Sequence, residues 1–167
     1  MGVQRKQAQE RERETTRRLA DTCLFAVDPD RNLIKGGGGC QLQEKVVASC
    51  TKQLIIIADY RKQSKRLGST WKKGVPIEVV PMAWKPVELR LKNMGGKPHL
   101  RMAVNKAGPV VTDNGGFVID CDFGEIADPA ELDSRIRAIV GVVETGLFVG
   151  MATKCYFGQE DGSVTEL

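Results

Sequence analysis

Four consecutive glycines, Gly36 to Gly39, separate an apolar strand-like segment, Leu33-Ile34-Lys35, from a helix-like one, Gln41-Leu42-Gln43-Glu44-Lys45. A run without β-carbons admits positive φ and lets backbone amides crowd a bound group. Such a loop suits an anion. The helix that follows adds the positive end of its dipole and its unpaired amides, which is why phosphates settle at helix starts. Lys35 before the loop and Glu44 after it place a cation and a potential base on either side. The combination predicts chemistry on a small phosphorylated molecule.

The pattern after the loop sets the fold class. Leu42, Val46, Val47 and Cys50 fall on one helical face, and Leu54 to Asp59 is a short apolar run rich in β-branched residues, read as a buried parallel strand. Glycine loop, helix, buried strand is the order of α/β architecture, here a Rossmann-like parallel sheet, where ligands sit at strand carboxyl ends. After Gly68 the pattern changes. Strands at Val75–Pro81 and Leu100–Val104, a helix from Val87 to Met94, and strand material at Val110–Thr112 and Phe117–Asp120 are followed by a helix from Pro129 to about Ile139 and a strand from Val142 to Phe148. The order β-α-β-β-α-β predicts a smaller ferredoxin-like α+β lobe. The tail reads as a hairpin turning at Asp161-Gly162. The expected organisation is a disordered basic arm over residues 1–20, an α/β domain over 21–74 and 150–167, and the βαββαβ lobe over 75–149.

Charge and cysteine usage narrow the function classes. Of the +4 formal charge, most lies in residues 1–20, with six Lys/Arg against three Glu; residues 21–167 carry 19 basic and 18 acidic groups. The folded part therefore has no nucleic-acid footprint. The N-terminus shows no apolar signal region, and Lys6 stands where a myristoylation motif needs Ser or Thr. No membrane partner is expected. Five cysteines, Cys23, Cys40, Cys50, Cys121 and Cys155, are widely spaced without a Cys-x-x-Cys pair, and His99 is the only histidine. Neither a disulfide framework nor a metal site is expected, and the cytoplasm is the natural compartment.

Glu44 and Lys35 fit two roles in proton transfer next to a carbonyl. One removes the proton while the other, with the amides of Gly36 to Gly39, stabilises the developing oxyanion. The alternative is a solvated Lys–Glu pair on the surface, and the glycine run weighs against it because it is entropically costly. Asp59 and Lys62 lie at the carboxyl edge of the predicted sheet. Lys62 is a candidate second cation for a sugar phosphate; alternatively Asp59 is a helix N-cap and Lys62 part of a solvated face. Thr112-Asp113-Asn114-Gly115 reads as a hairpin turn, and His99 as a surface residue after Pro98.

These residues together resemble the A-type ribose-5-phosphate isomerase family. The similarity runs from about Val27 to Gly162 through Asn32-Leu33-Ile34-Lys35 with the four glycines, Gln43 to Ala48, Ile57-Ala58-Asp59, Pro76 to Ala83, Gly108 to Gly115 and Gly141 to Phe148. The segments around Arg61-Lys62 and Tyr156-Phe157-Gly158 suggest a eukaryotic member. The resemblance implies interconversion of ribose 5-phosphate and ribulose 5-phosphate through an enediolate, in the non-oxidative branch of the pentose phosphate pathway, without metal or cofactor. It implies Glu44 as the base, Lys35, Gly36, Gly37, Gly38 and Lys62 as substrate contacts, and a second lobe that forms homodimers or tetramers. Two family features are missing. No Gly-Thr-Gly-Ser-Thr phosphate loop precedes the matched region, and the two sugar-orienting aspartates fall at Thr22 and Phe25, with Asp28 and Asp30 further along. The resemblance thus implies a parallel sheet incomplete on its N-terminal side and an N-terminally truncated or divergent isomerase of impaired activity. The alternative is a non-catalytic isomerase-like subunit or sugar-phosphate-binding module.

Overall fold

The computed structural model describes residues 19–21 and 24–167. The arm expected over residues 1–20 lies outside the described residues, apart from Leu19 and Ala20, which belong to a strand.

The described residues form three sheets. The first is Rossmann-like: β1 (Leu19–Asp21), β4 (Leu54–Asp59) and β10 (Ala152–Gly158) run parallel, with β4 central, and β11 (Val164–Glu166) closes the far edge antiparallel to β10. The predicted tail hairpin is thus present, with Gly162 at φ 85° in its turn. The second sheet is small and antiparallel, in the order β2 (Leu24–Val27), β3 (Leu33–Lys35) and β9 (Leu147–Phe148). Helix α1 (Gln41–Ser49) follows the glycine loop. Leu24, Val27, Leu33, Ala48, Leu54, Ile56, Phe148, Cys155 and Phe157 form one apolar core between these elements.

The third sheet belongs to the lobe. Its order, β6 (Lys97–Leu100), β7 (Phe117–Asp122), β5 (Val75–Val79), β8 (Val142–Thr145), is antiparallel throughout, with helices α2 (Trp84–Asn93) and α3 (Pro129–Arg137) in the connections. This is the ferredoxin-like arrangement the βαββαβ order predicts. Ile77, Val79, Ile119 and Cys121 share a core cluster with Val87 and Leu91 of α2 and Ile136 of α3. By the two-residue period of a strand, Glu78, Val118 and Asp120 point to the opposite face. That face is where the glycine loop lies, with Gly39 against Val118.

Several boundaries differ from the sequence expectation. Helix α2 begins at Trp84 and not Val87, because Pro86 sits in the first turn, where its missing N–H costs nothing. Strand β6 covers Lys97–Leu100 instead of Leu100–Val104; beyond it only isolated bridges, Met102 to Pro109 and Val111 to Phe117, continue the pairing around an exposed turn. The single strand expected from Val142 to Phe148 is two. Gly146 breaks it by donating its N–H to the Pro76 carbonyl and accepting from the Lys35 amide, so β8 stays in the lobe while β9 joins β3. Among the described residues no helix is long and apolar enough to cross a membrane.

Gly146 is therefore the crossing point of the two units. A β-carbon there would stand 2.2 Å from the Lys35 carbonyl oxygen and 2.9 Å from Pro76 Cδ. Gly146→Ala is expected to cost about 2 kcal/mol through overpacking, which corresponds at this chain length to about 4–8 °C in Tm. A thermal melt with an unchanged midpoint would show that β3 yields freely.

Candidate active site

Lys35 is the last residue of β3 and shares a strand face with Leu33, so its side chain enters the apolar core. It is fully buried, with Nζ 3.7 Å from Glu44 Oε2 and 5.6 Å from the centre of the Phe148 ring. Glu44 lies in the first turn of α1, near the positive end of the helix dipole, and its side chain is only 18% exposed. Its Oε2 is buried without a hydrogen-bond partner among the described residues. A carboxylate oxygen with a vacant lone pair, next to a desolvated cation, is suited to take a proton while the cation stabilises an oxyanion.

The loop between them is shaped by φ values of 102° at Gly36 and 76° at Gly39, and is closed by a Gly39 N–H to Gly36 carbonyl bond of 3.1 Å. Gly36 and Gly39 are buried, whereas Gly37 and Gly38 are exposed. The N–H groups of Gly37 and Gly38 have no acceptor among the described residues. Two side chains frame the loop. The Phe25 ring stacks on Trp71 at 3.6 Å between centroids, and a β-carbon on Gly37 would meet it at 2.6 Å. On the lobe side, Arg101 Nη1 donates to the carbonyls of Gly36 and Gly37, each at 3.1 Å. Its Nε and Nη2 donate to the two oxygens of Asp120 at 2.7 and 2.5 Å.

Lys45, next to Glu44 on the helix, points the other way. Its ammonium donates to Glu144 Oε1 of β8 at 2.8 Å, lies 3.9 Å from Asp133 of α3, and sits 5.0 Å from the Phe148 ring. These contacts tie α1 to the lobe. Glu78, fully buried on β5, accepts from Thr112 Oγ1 at 2.6 Å and from Asn114 Nδ2 at 3.3 Å. Thr112 and Asn114 thus do more than turn the chain.

The other sequence candidates fare differently. Asp59 accepts from the Arg61 amide at 2.9 Å and caps the short 3-10 turn Tyr60–Lys62. The hydrogen bond from the Arg61 side chain, then its backbone, holds the exposed Asp59 carboxyl below its usual range. Lys62 is half-buried in that turn and forms no ion pair or hydrogen bond with Lys35 or Glu44. Asp28 is buried and accepts from Asn32 and from the Asp30 amide, which makes it a turn residue. His99 is exposed on β6. Sequence reasoning missed Arg101 and Asp120. Asp120 lies between buried Ile119 and Cys121 and so points to the opposite face of β7, a pattern that by itself gave no sign of a partner.

The geometry of a buried lysine, a facing glutamate and a glycine loop can now be set beside known proteins. A family model for ribose 5-phosphate isomerase A (phosphoriboisomerase A) matches residues 24–162. The chain belongs to that family. It is 57% identical over 139 residues to the human ribose-5-phosphate isomerase, covering 83% of this chain and 45% of that one. The Dictyostelium discoideum ribose-5-phosphate isomerase is 59% identical over 140 residues, covering 82% and 60%. Among solved structures, a D-ribose-5-phosphate isomerase in complex with phospho-erythronic acid superposes with a TM-score of 0.84 at 40% identity, over 90% of this chain and 64% of that one. The enzyme from Methanocaldococcus jannaschii gives 0.82 at 39% identity, with the same coverage. The chain spans about half the length of the curated relatives it matches. Of the two positions at which the resemblance expects aspartates, Thr22 lies outside the described residues and Phe25 is held in its stack on Trp71.

Gln41, one turn before Glu44 on α1, is fully buried, and neither its Oε1 nor its Nε2 has a hydrogen-bond partner among the described residues. Replacing an unsatisfied buried amide by an apolar group of similar volume removes a desolvation penalty of about 1–3 kcal/mol. Gln41→Leu is expected to raise Tm by several degrees in a calorimetric scan, and a lowered Tm would mean that the amide is satisfied.

Proposed function

We propose that this chain carries the reaction half of a ribose-5-phosphate isomerase site and interconverts ribose 5-phosphate and ribulose 5-phosphate through an enediolate. The observation that carries the reading is the Lys35–Glu44 ion pair, 3.7 Å apart, in which the buried Glu44 Oε2 has no hydrogen-bond partner among the described residues. Glu44 takes the proton from the carbon next to the carbonyl and returns it to the neighbouring carbon. Lys35 and the amides of Gly37 and Gly38 balance the negative charge that develops on oxygen, and Gly36 shapes the loop that presents them. Lys62 serves as a further contact to the sugar phosphate from the edge of the parallel sheet. The substrate is a small sugar phosphate handled without cofactor in the cytoplasm, and the lobe over residues 75–149 mediates assembly into homodimers or tetramers.

Phe25 favours a second reading. Its ring lies against Gly37 and stacks on Trp71, and a phenyl group cannot accept a bond from a sugar hydroxyl. That removes binding energy otherwise spent on orientation and lowers turnover. In its limit the chain is a non-catalytic isomerase-like subunit that binds sugar phosphates.

A coupled isomerisation assay on the purified chain, run beside Glu44→Gln, separates the two. For the enzymatic reading, turnover is present and the substitution lowers kcat by about 10²–10⁴-fold, the span of general-base catalysis. Absent turnover with measurable binding of phospho-erythronic acid by calorimetry establishes the binding module. Turnover that survives Glu44→Gln overturns the assignment of the base.

A further inference from the structure

The lobe reaches the carbonyls of the glycine loop with the side chain of Arg101. Arg101 leaves the end of β6 with its guanidinium spread between two tasks. Nε and Nη2 form a two-point pair with the Asp120 carboxylate, and Nη1 donates to two successive glycine-loop carbonyls, those of Gly36 and Gly37. Both charged side chains are largely buried, at 18% and 19% exposure, where such a fork is strong and geometrically demanding. The carbonyl of Gly36 and the N–H of Gly37 share one planar trans peptide and point in opposite directions, as do the carbonyl of Gly37 and the N–H of Gly38. Holding both carbonyls on the lobe side therefore fixes both amides on the other side. These are the two loop amides that are exposed and lack an acceptor among the described residues.

We propose that Arg101, anchored by Asp120, is a positioning residue that orients the peptide planes of the glycine loop so that the Gly37 and Gly38 amides face the reacting oxygen. The consequence for catalysis rests on the isomerase reading above; the consequence for the loop does not. A loop of four glycines has many accessible conformations, and without an external clamp its amides would spend little time aimed together. The lobe supplies that clamp, which gives it a part in the chemistry distinct from any part in assembly. Asp120 acts one step further back: by fixing the guanidinium plane it leaves Nη1 directed at the loop.

The Gly39 amide reports on the clamp, since it donates to the same Gly36 carbonyl that Arg101 holds. In Arg101→Met, NMR-detected exchange of the Gly39 amide is expected to accelerate at least tenfold, while the amides of Ile56 in β4 and Phe157 in β10 keep their wild-type rates. With ribose 5-phosphate as substrate, kcat falls at least tenfold and KM changes less than threefold. Added guanidinium ion partly restores kcat, which a merely structural role would not allow. Gly39 exchange within twofold of wild type overturns the clamp, and accelerated exchange with unchanged kcat overturns its role in positioning. If the wild-type chain shows no turnover, the exchange result alone decides the clamp, and the missing turnover counts against the isomerase reading. Should Arg101→Met also accelerate the β4 and β10 amides, Asp120→Asn, which keeps the guanidinium and loosens only its anchor, is judged by the same criteria.

Discussion

The buried ammonium of Lys35 is the constraint from which the local architecture follows. Removing a lysine head group from water costs several kcal/mol unless an opposite charge and polarisable groups surround it. Here the carboxylate of Glu44 lies within 3.7 Å and the Phe148 ring within 5.6 Å. Glu44 is nine residues further along the chain, so the backbone must leave β3, reverse and start a helix within a few residues. The positive φ at Gly36 and Gly39 accomplishes the reversal, and side chains at those positions would be strained. The glycine run is thus the backbone solution to an electrostatic requirement as well as a cradle for a ligand.

A second constraint keeps the helix in place without using up the base. Glu44 and Lys45 are adjacent, hence about 100° apart around the helix. One faces Lys35 and the other faces Glu144 and Asp133 across the edge of the lobe. The two lysines approach the same Phe148 ring, and each is balanced by a carboxylate from a different direction. Were α1 held through Glu44 itself, its oxygens would be committed to structure. Because Lys45 carries the anchoring, Glu44 Oε2 stays without a hydrogen-bond partner among the described residues. Arg101 completes the scheme from the lobe, so strand, loop and helix are each fixed by a different contact.

How much of this was legible in the sequence depended on whether the signal was local. The Rossmann-like order and the βαββαβ lobe follow from runs such as Leu54 to Asp59 and Val75 to Val79, whose pattern is contained in a few residues. The pairing of Lys35 with Glu44 was legible for the same reason, since loop and helix fix their separation. Gly146 was not, because its effect depends on Pro76 and Lys35, far away in the chain. Nor was Arg101, whose partners are Asp120 and the carbonyls of Gly36 and Gly37, 19, 65 and 64 residues distant. Lys62 stayed ambiguous, and the structure places it in a capped turn with no ion pair or hydrogen bond to Glu44 among the described residues.

Phe25 shows where local and family information part. From the resemblance, its position is one for a carboxylate that holds a sugar hydroxyl; in the structure it is an aromatic wall. The half-buried ring packs on Trp71 and against Gly37, so it cannot be exchanged for a small acid without loss of packing. The loop therefore has an apolar wall at Phe25, the buried cation of Lys35 at its start and two amides without an acceptor among the described residues, a set that favours negative charge over hydroxyl groups.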